Sequence, residues 1–324
     1  MSFCLSMLFA LCLDRLIGWP DGLYQRLSHP VVGIGRLISW CDAKLNRTAY
    51  ASQRRKIGGI ITVVIVIMVT GFASFAVTAF LPSGVMGIIL TALIAWPFLA
   101  AKSLYDHVLA VAKPLAKDEL GEARLAVSMI VGRNPEQLDK TAIARASLES
   151  LAENTSDGVT APLFWGSLFG LPGLVIYKAI NTMDSMIGYK NETYQDFGWA
   201  AARFDDLVNL IPARLTGCIY ALLSGRPAYA MRVMIRDAAR HRSPNAGWPE
   251  TALAAALDIR LSGPRAYDGV MRDEAWLHPE GRDPEAQDIA AGLSRFTHLL
   301  WVVSGLMLLG AGICLQFGIG TFGQ

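Results

Sequence analysis

The sequence predicts an all-α, polytopic integral membrane protein, and three observations support that class. Of the 324 residues, 53% are hydrophobic and only 17% are charged, whereas soluble globular domains carry about 25% charged residues. Residues 57–101 contain no charged side chain at all. The apolar residues recur at helical spacing, and a helix needs about 20 of them to cross a bilayer. The net charge of +2 gives no indication of a nucleic-acid partner.

Four segments are predicted to cross the membrane as firm helices: residues 1–13, 57–81, 84–101 and 296–319. The first is short. Because it lacks a basic leader and a small-residue cleavage site, we interpret it as a retained helix rather than a signal peptide. Pro82, Ser83 and Gly84 form the turn between the second and third helices.

Two further apolar runs are interrupted. Residues 159–177 are long enough to span, yet they contain five helix-breaking residues: Pro162, Gly166, Gly170, Pro172 and Gly173. Broken helices inside membranes usually line a cavity. We therefore predict that this run enters the membrane, breaks near Gly170–Gly173 and returns. Residues 207–225, which carry Pro212 and Arg214, are predicted to stay short of a full crossing.

Three polar, helical loops separate the apolar runs. Residues 14–56, 102–158 and 226–295 hold 8, 7 and 10 of the 29 Lys and Arg residues. Such a bias places these loops in the cytoplasm. Thr141 is the predicted N-cap of a helix in the second loop. Because no linker or internal repeat divides the chain, residues 1–324 are predicted to form one membrane domain.

The motif core, residues 145–216, contains three clusters of acidic and amide side chains. They are Glu149, Glu153, Asn154 and Asp157; Asn181 and Asp184; and Asp205, Asp206 and Asn209. Residues three or four apart share a helix face, so each cluster offers oxygen ligands together. Oxygen ligands suit Mg²⁺ held with phosphate groups. The candidate ligands are Glu149, Glu153, Asp157, Asp184, Asp205 and Asp206.

Solvated helix ends with ordinary i,i+4 pairing would give similar clusters. We favour a functional site because ionisable groups near membrane segments are seldom without a role. Basic residues accompany the clusters: Lys178, Lys190, Arg203 and Arg214. The five cysteines are interpreted as small buried hydrophobic residues, since they form no CxxC pair.

Two basic segments lie outside the motif core, and each has two interpretations. His29 and Arg36 flank a Pro/Gly segment, which either binds phosphate or forms a turn into an amphipathic helix. Arg236, Arg240, His241 and Arg242 either bind an anionic ligand or mark a cytoplasmic loop. The chain contains no GxxxxGK[ST], which excludes a P-loop for ATP.

Several long motifs make the sequence resemble the adenosylcobinamide-phosphate synthase family of cobalamin biosynthesis. They are DRLIGWPDGLYQRLSHPVVGIGRLI, ASLESLAENTSDGVTAPLFW, YKAINTMDSMIGYKNETYQDFGWAAARFDDLVNLIPARLT and SPNAGWPETALAAALDIRLSGP. The resemblance covers nearly the whole chain. One departure is Asn134, which stands where relatives often carry Asp.

The resemblance implies a ligase of the cell inner membrane. It would join adenosylcobyric acid, a corrinoid, to (R)-1-amino-2-propanol phosphate, using ATP and Mg²⁺ to form the amide. Other membrane enzymes of cobalamin assembly are implied as candidate partners.

The candidate site residues are assigned two kinds of role. The catalytic candidates are Glu153, Asp157, Asp184 and Lys178. The candidates for binding substrates or cofactor are Asn154, Asn181, Arg214, Arg240, Asn245, His29 and Arg36.

Two other functional classes stay open. One is a Mg²⁺-dependent membrane transferase acting on a diphosphate substrate, because Asp-rich helices facing a cavity serve that chemistry as well. The other is a non-catalytic membrane regulator or a transporter, although a transporter is expected to show paired internal repeats.

Overall fold

The computed structural model describes residues 3–20, 29–47, 49–131, 136, 138–267 and 270–317. Asn134, the position that departs from the family pattern, lies outside the described residues, and so do residues 21–28 of the N-terminal motif. The described chain is mostly helical, which confirms the all-α prediction.

Thirteen α-helices are described. They are α1 (Phe3–Ile17), α2 (Pro30–Leu45), α3 (Ser52–Phe80), α4 (Gly84–Ala95), α5 (Ala101–Ala116), α6 (Leu120–Ser128), α7 (Lys140–Thr155), α8 (Ala161–Ile187), α9 (Trp199–Val208), α10 (Leu210–Leu222), α11 (Pro227–Asp237), α12 (Gly247–Leu257) and α13 (Ala286–Phe317). A π-helical turn, Ser156–Thr160, joins α7 to α8, and 3₁₀ turns occupy Trp96–Phe98 and Ala238–Arg240.

Four described helical runs are long and apolar enough to cross a membrane: Ser52–Phe80, Gly84–Ala116, Lys140–Ile187 and Ala286–Phe317. This confirms a multi-pass membrane protein, but these four runs are not the same as the four membrane-crossing helices predicted from the sequence. Helix α1 has 15 residues, so it is roughly 22 Å long and does not reach across a core of about 30 Å. Helix α10, with 13 residues, is also short.

The chain forms two compact units. One contains Met1–Ala100, Ala161–Asn209 and Leu306–Gln324, and it is called the α8 unit below. The other contains Ala101–Thr160 and Leu210–Gly305, and it is called the α12 unit. The single membrane domain expected from the sequence stays a prediction for the chain as a whole.

Helix α8 reverses direction at Gly170, where the backbone leaves helical geometry (φ 66°, ψ −153°). A Cβ placed on Gly166 would lie 3.5 Å from Cβ of Leu174. Eight residues of straight helix would separate these positions by about 12 Å. The segment is therefore a hairpin of two helical arms, although its length and composition are those of one crossing. The predicted break near Gly170–Gly173 is confirmed.

The hairpin is the centre of the α8 unit. Helices α1, α2, α3 and α9 all pack against it. A Cβ on Gly170 would lie 2.8 Å from the Phe3 ring of α1, so this position requires glycine both for its positive φ and for space. The buried side chains here include Met7, Leu171 and Leu174.

In the α12 unit, α12 packs against α7, α10 and α11. Two short antiparallel ladders pair β1 (Leu261–Ser262) with β4 (Trp276–Leu277), and β2 (Arg265–Tyr267) with β3 (Val270–Arg272). Strands of two or three residues are too short to show alternating hydrophobicity, so the sequence did not predict them.

The predicted N-cap of α7 is wrong by two positions. Asp139, rather than Thr141, caps the helix, because its Oδ1 accepts a 2.7 Å hydrogen bond from the backbone N–H of Ala142. Thr141 instead lies inside the first turn. Asp and Thr are both favoured N-caps, and the backbone geometry at Asp139 decides between them.

Candidate functional site

The second and third acid/amide clusters come together between α8 and α9. Nδ2 of Asn209 donates to Oδ2 of Asp205 at 3.0 Å, and Nδ2 of Asn181 donates to Oδ1 of Asp205 at 3.4 Å. The hydroxyl of Tyr177 donates to Oδ1 of Asn209 at 2.9 Å. Asp205, Asn209 and Tyr177 are all buried. The result is a polar network inside the α8 unit, anchored by Asp205.

Two more carboxylates lie close to this network. The charges of Asp184 and Asp206 both act on Asp205, and the charge of Asp206 acts on Asp184. A Cβ at position 188 would collide with Oδ1 of Asp184, so Gly188 leaves room for that carboxylate. Asp184, Asp205 and Asp206 therefore lie near one another, and their predicted binding of a cation stays a prediction.

Burial and like charge determine the electrostatics of the pair on α9. Burial, followed by the charge of Asp184, raises the pKa of Asp205 to about 7, although the two amide donors oppose the shift. Burial also raises the pKa of Asp206, while Arg203 and Lys190 lower it. Nη1 of Arg203 lies 3.2 Å from Oδ2 of Asp206. Carboxylates that resist ionisation in this way are candidates for binding cations or holding protons.

Lys178 also lies on α8, three residues before Asn181. Its positive charge acts on the His29 ring, at the start of α2. His29 is the N-cap of α2, since its Nδ1 accepts from the backbone N–H of Val31 at 3.3 Å. Burial and then Lys178 lower the pKa of His29, so the ring stays neutral near pH 7. The structure therefore gives His29 a capping role, and its predicted contact with phosphate stays a prediction.

The first cluster lies in the α12 unit, so its predicted sharing of a site with the other two also stays a prediction. Glu149 is buried, and its Oε1 accepts a 2.7 Å hydrogen bond from the backbone N–H of Ser262 in β1. This bond gives Glu149 a structural role, because Ser262 holds a positive φ of 60°. Glu153 and Asn154 are exposed on the outer face of α7.

Asp157 lies in the π-helical turn Ser156–Thr160. Such turns inside α-helices occur frequently at functional sites. The side-chain hydroxyls of Ser156 and Thr160 are buried and make no hydrogen bond within the described residues. The end of the ENTSDG motif thus overlaps the one π-helical segment that the described part of the chain contains.

Arg214 and Asn245 lie close together in the α12 unit. Nη1 of Arg214 lies 2.7 Å from the carbonyl oxygen of Leu210 and 3.5 Å from Oδ1 of Asn245. Its guanidinium also lies over the Trp248 ring, 4.4 Å from the centroid. The SPNAGWPE motif forms this arrangement, because Oγ of Ser243 accepts from the backbone N–H of Asn245 at 3.2 Å.

Acidic partners surround the basic cluster at 236–242. Arg236 forms ion pairs with Asp237 and Glu280, and Arg240 lies 3.4 Å from Asp237. Arg242 lies 3.6 Å from Glu274. Burial lowers the pKa of His241. With its charges largely compensated, this cluster has the features of a structural network, and the predicted ligand contact of Arg240 stays a prediction.

Sequence reasoning missed two groups. The first is Tyr177, which stands at the end of an apolar run. The sequence therefore did not predict its hydrogen bond to Asn209 in the Asp205 network. Arg145 and Arg260 both bind Asp283, and both lie over the Trp276 ring. These partners are up to 138 residues apart in the chain, and no local pattern connects them.

Together, the fold and the site define a multi-pass, helical membrane protein with a buried acid/amide network. Within the described residues, no three His, Cys, Asp or Glu side chains form a ready-made metal site. Two carboxylates beside cationic side chains can still bind a divalent cation together with an anionic ligand.

The comparisons with known proteins identify the family. The CobD/Cbib protein family model matches residues 7–296. Cobalamin biosynthesis protein CobD of Rhodobacter capsulatus is 52% identical over 296 residues, covering 91% of this chain and 93% of the relative. The proteins of the same name from Brucella suis and a Sinorhizobium species are 47% and 45% identical, covering 92% and 95% of this chain and 94% and 98% of the relatives. No solved structure matches. The chain belongs to the CobD/CbiB family of cobalamin biosynthesis proteins.

Proposed function

We propose that this protein is a ligase that forms the amide between adenosylcobyric acid and (R)-1-amino-2-propanol phosphate, or a related amino alcohol. ATP and Mg²⁺ would drive the reaction at the cytoplasmic face of the inner membrane. The observation that carries the proposal is the cluster of Asp184, Asp205 and Asp206, which lies within the motifs shared with the synthase family. The family match to cobalamin biosynthesis supports it.

A carboxylate does not react with an amine until it is activated, and the activation step builds up negative charge that the site must neutralise. Activation through an acyl phosphate concentrates negative charge on the transferring phosphoryl group. When bound, Mg²⁺ would neutralise part of that charge. The donor set fits such an ion, since Mg²⁺ is usually bound by one or two carboxylates plus water and phosphate oxygens.

Asp184 and Asp206 are the two carboxylates assigned to that role. Asp205 is less suited to bind the ion directly, because each of its oxygens already accepts a hydrogen bond from an amide. We assign Asp205 to proton binding: at neutral pH a group with a pKa of about 7 can accept a proton and release it again. The incoming ammonium must lose a proton before it attacks.

Basic residues of each unit are candidates for binding the anionic parts of the substrates. Lys178 and Arg203 lie on the two helices that carry the carboxylates, and Arg203 pairs with Asp206. Arg214 has a fixed, stacked guanidinium whose planar geometry suits phosphate. Arg214 is therefore the first candidate for the phosphate of the amino alcohol.

Purified protein in detergent tests the proposal. It is incubated with ATP, Mg²⁺, adenosylcobyric acid and the amino alcohol phosphate, and the products are separated and weighed by mass spectrometry. We expect the mass of the condensed amide, formed only when both ATP and Mg²⁺ are present. Turnover of a prenyl diphosphate without amide formation would instead support a membrane transferase.

A further inference from the structure

Helix α3 provides a depth scale for the α8 unit, because it is one of the runs that are long and apolar enough to cross a membrane. Its charged side chains end at Lys56, and residues 57–80 contain none. Basic side chains at the end of an apolar helix lie at the level of the lipid headgroups. The hydrocarbon core therefore begins close to Gly59.

The second arm of α8 packs along α3. At one end of this contact, a Cβ on Gly71 would lie 3.4 Å from Cδ1 of Ile176. Near the start of α3, a Cβ on Gly59 would collide with the backbone just before Gly198, and a Cβ on Gly198 would collide with the carbonyl oxygen of Ile187. The rise from Gly59 to Gly71 is about 18 Å, and the rise from Ile187 back to Ile176 is about 17 Å. The two helices are therefore antiparallel, and both ends of the contact lie at matching depths.

Helix α9 follows the same arm of α8. Nδ2 of Asn181 donates to Oδ1 of Asp205 at 3.4 Å, and the hydroxyl of Tyr177 donates to Oδ1 of Asn209 at 2.9 Å. Each step along α9 away from Gly198 is thus matched by a step along α8 towards the hairpin turn. At about 1.5 Å per residue, Asp205 lies roughly 10 Å and Asn209 roughly 16 Å below the level of Gly198.

The inner and outer faces of α9 differ in character. Asp205 is buried in the α8 unit, whereas Leu207, about 200° further around the helix, is 60% exposed. At the outer end of α9, the ring of Trp199 is 42% exposed and lies 4.0 Å from Nζ of Lys56. Tryptophan beside a basic side chain is typical of the membrane–water interface, which agrees with the level assigned to the start of α3.

We propose that α9 enters the bilayer beside α3 and that Leu207 contacts phospholipid acyl chains. The occupant follows from continuity, because α9 packs against α3, on which Val64 and Met68 are exposed at similar depths. Hydropathy does not reveal α9 as a membrane segment, since its ten residues include three charged side chains. The helix instead has an apolar outer face and an acidic inner face, and it carries the Asp205 network below the level of the headgroups.

Fluorescence quenching tests the surroundings of Leu207. Leu207→Cys is made in an otherwise cysteine-free, full-length protein, labelled with bimane and placed in phospholipid nanodiscs. Gln195→Cys is the control for water, because Gln195 is exposed in the segment before α9. Phe72→Cys is the control for lipid, because Phe72 is 78% exposed within α3. Phospholipids with brominated acyl chains quench labels in lipid, and iodide quenches labels in water.

We expect the label at position 207 to lose fluorescence in brominated lipid to nearly the same extent as the label at position 72. Iodide should have little effect on either label, whereas the label at position 195 should show the reverse pattern. A second measurement needs no label. Leu207→Gln should lower the Tm in nanodiscs by about 3 °C or more, because the amide loses its hydrogen bonds to water. Leu125→Gln, at an exposed leucine of the polar helix α6, should leave the Tm unchanged.

Two other results would overturn the inference. If iodide quenches the label at position 207 as strongly as the label at position 195, this face of α9 lies in water. If neither quencher reaches the label at position 207, a protein surface covers the face, such as that of a second copy of the chain. Equal Tm values for Leu207→Gln and Leu125→Gln would also contradict contact with lipid. None of these results bears on the proposed ligase reaction, which amide formation tests separately.

Discussion

Asn209 donates a 3.0 Å hydrogen bond to Asp205, and both side chains are buried beside the charge of Asp184. The bond favours the ionised carboxylate, whereas burial and Asp184 favour the protonated one. Burial and the charge of Asp184 outweigh the hydrogen bond, so the pKa of Asp205 rises to about 7. Asp205 therefore gains or loses its negative charge near neutral pH.

This shift predicts a pH dependence of stability. The folded pKa of Asp205 exceeds that of the unfolded chain, so the folded state holds the proton more tightly. The free energy of unfolding should fall as pH rises from about 4 to about 7, and then become level. Between pH 5 and 7.5 we expect the Tm in detergent to fall by on the order of 5 °C.

Asp205→Asn should make that dependence shallower, because the variant lacks the carboxylate at position 205. Asp106→Asn serves as the control, since Asp106 is exposed and pairs only with a neighbouring lysine, Lys102, in the described structure. The control should keep the wild-type profile. A flat wild-type profile, or an unchanged slope in Asp205→Asn, would contradict the raised pKa.

Charge removal at the carboxylates tests the predicted cation site. Asp184→Asn and Asp206→Asn preserve volume and remove charge, so amide formation should fall by about 100-fold or more while the protein stays folded. The Mg²⁺ concentration for half-maximal activity should rise in any variant with residual turnover. Near-normal turnover in both variants would refute the metal-site hypothesis.

Arg214→Lys tests recognition of the amino alcohol phosphate. Lysine keeps the charge but loses the planar guanidinium that lies over Trp248. The KM for the phosphorylated amine should rise roughly tenfold, more than the KM for the corrinoid. Arg226→Lys is the matched control, because Arg226 also lies over an aromatic ring, that of Tyr229. Equal effects on both substrates would indicate a structural role for Arg214.

The hairpin turn depends on glycine at position 170. Gly170→Ala places a side chain at positive φ and against the Phe3 ring. Gly84 also has a positive φ, of 73°, but a Cβ there meets nothing within 4 Å. We expect Gly84→Ala to cost about 1–2 kcal/mol and Gly170→Ala about 1–3 kcal/mol more. Thermal unfolding of both variants measures the difference, and equal losses would show that the Phe3 contact is unimportant.

The sequence predicted the helix break and the pairing of residues within one helix, because both depend on residues close together in the chain. The density of Pro and Gly between Pro162 and Gly173 was sufficient to predict the break at Gly170. Helical spacing also predicted that Asp205 and Asn209, four residues apart, lie together, whereas the contact of Asn181 with Asp205 joins two helices and was not predicted. Long-range contacts could not be predicted in this way: Glu149 binds the backbone of Ser262, 113 residues further along the chain. Spacing alone could not distinguish such a structural carboxylate from a metal ligand.

The turn at Gly170 has a consequence for topology. If α8 were one straight crossing, Asp184 would emerge on the side of the membrane away from the cytoplasmic loops, where ATP is absent. Because the chain turns back, we predict that residues 178–204 lie in the cytoplasm or in a cavity open to it. Lys178, Lys190 and Arg203 then follow the usual positive-inside bias.

A single cysteine at Asn191, in an otherwise cysteine-free protein, tests this placement most directly. Asn191 is exposed in the segment between α8 and α9. Intact cells are treated with a membrane-impermeant thiol reagent, and a parallel sample is treated after the membrane is opened. We predict labelling only after opening. Strong labelling in intact cells would place the segment outside the cytoplasm and contradict a site that uses ATP at Asp184 and Asp206.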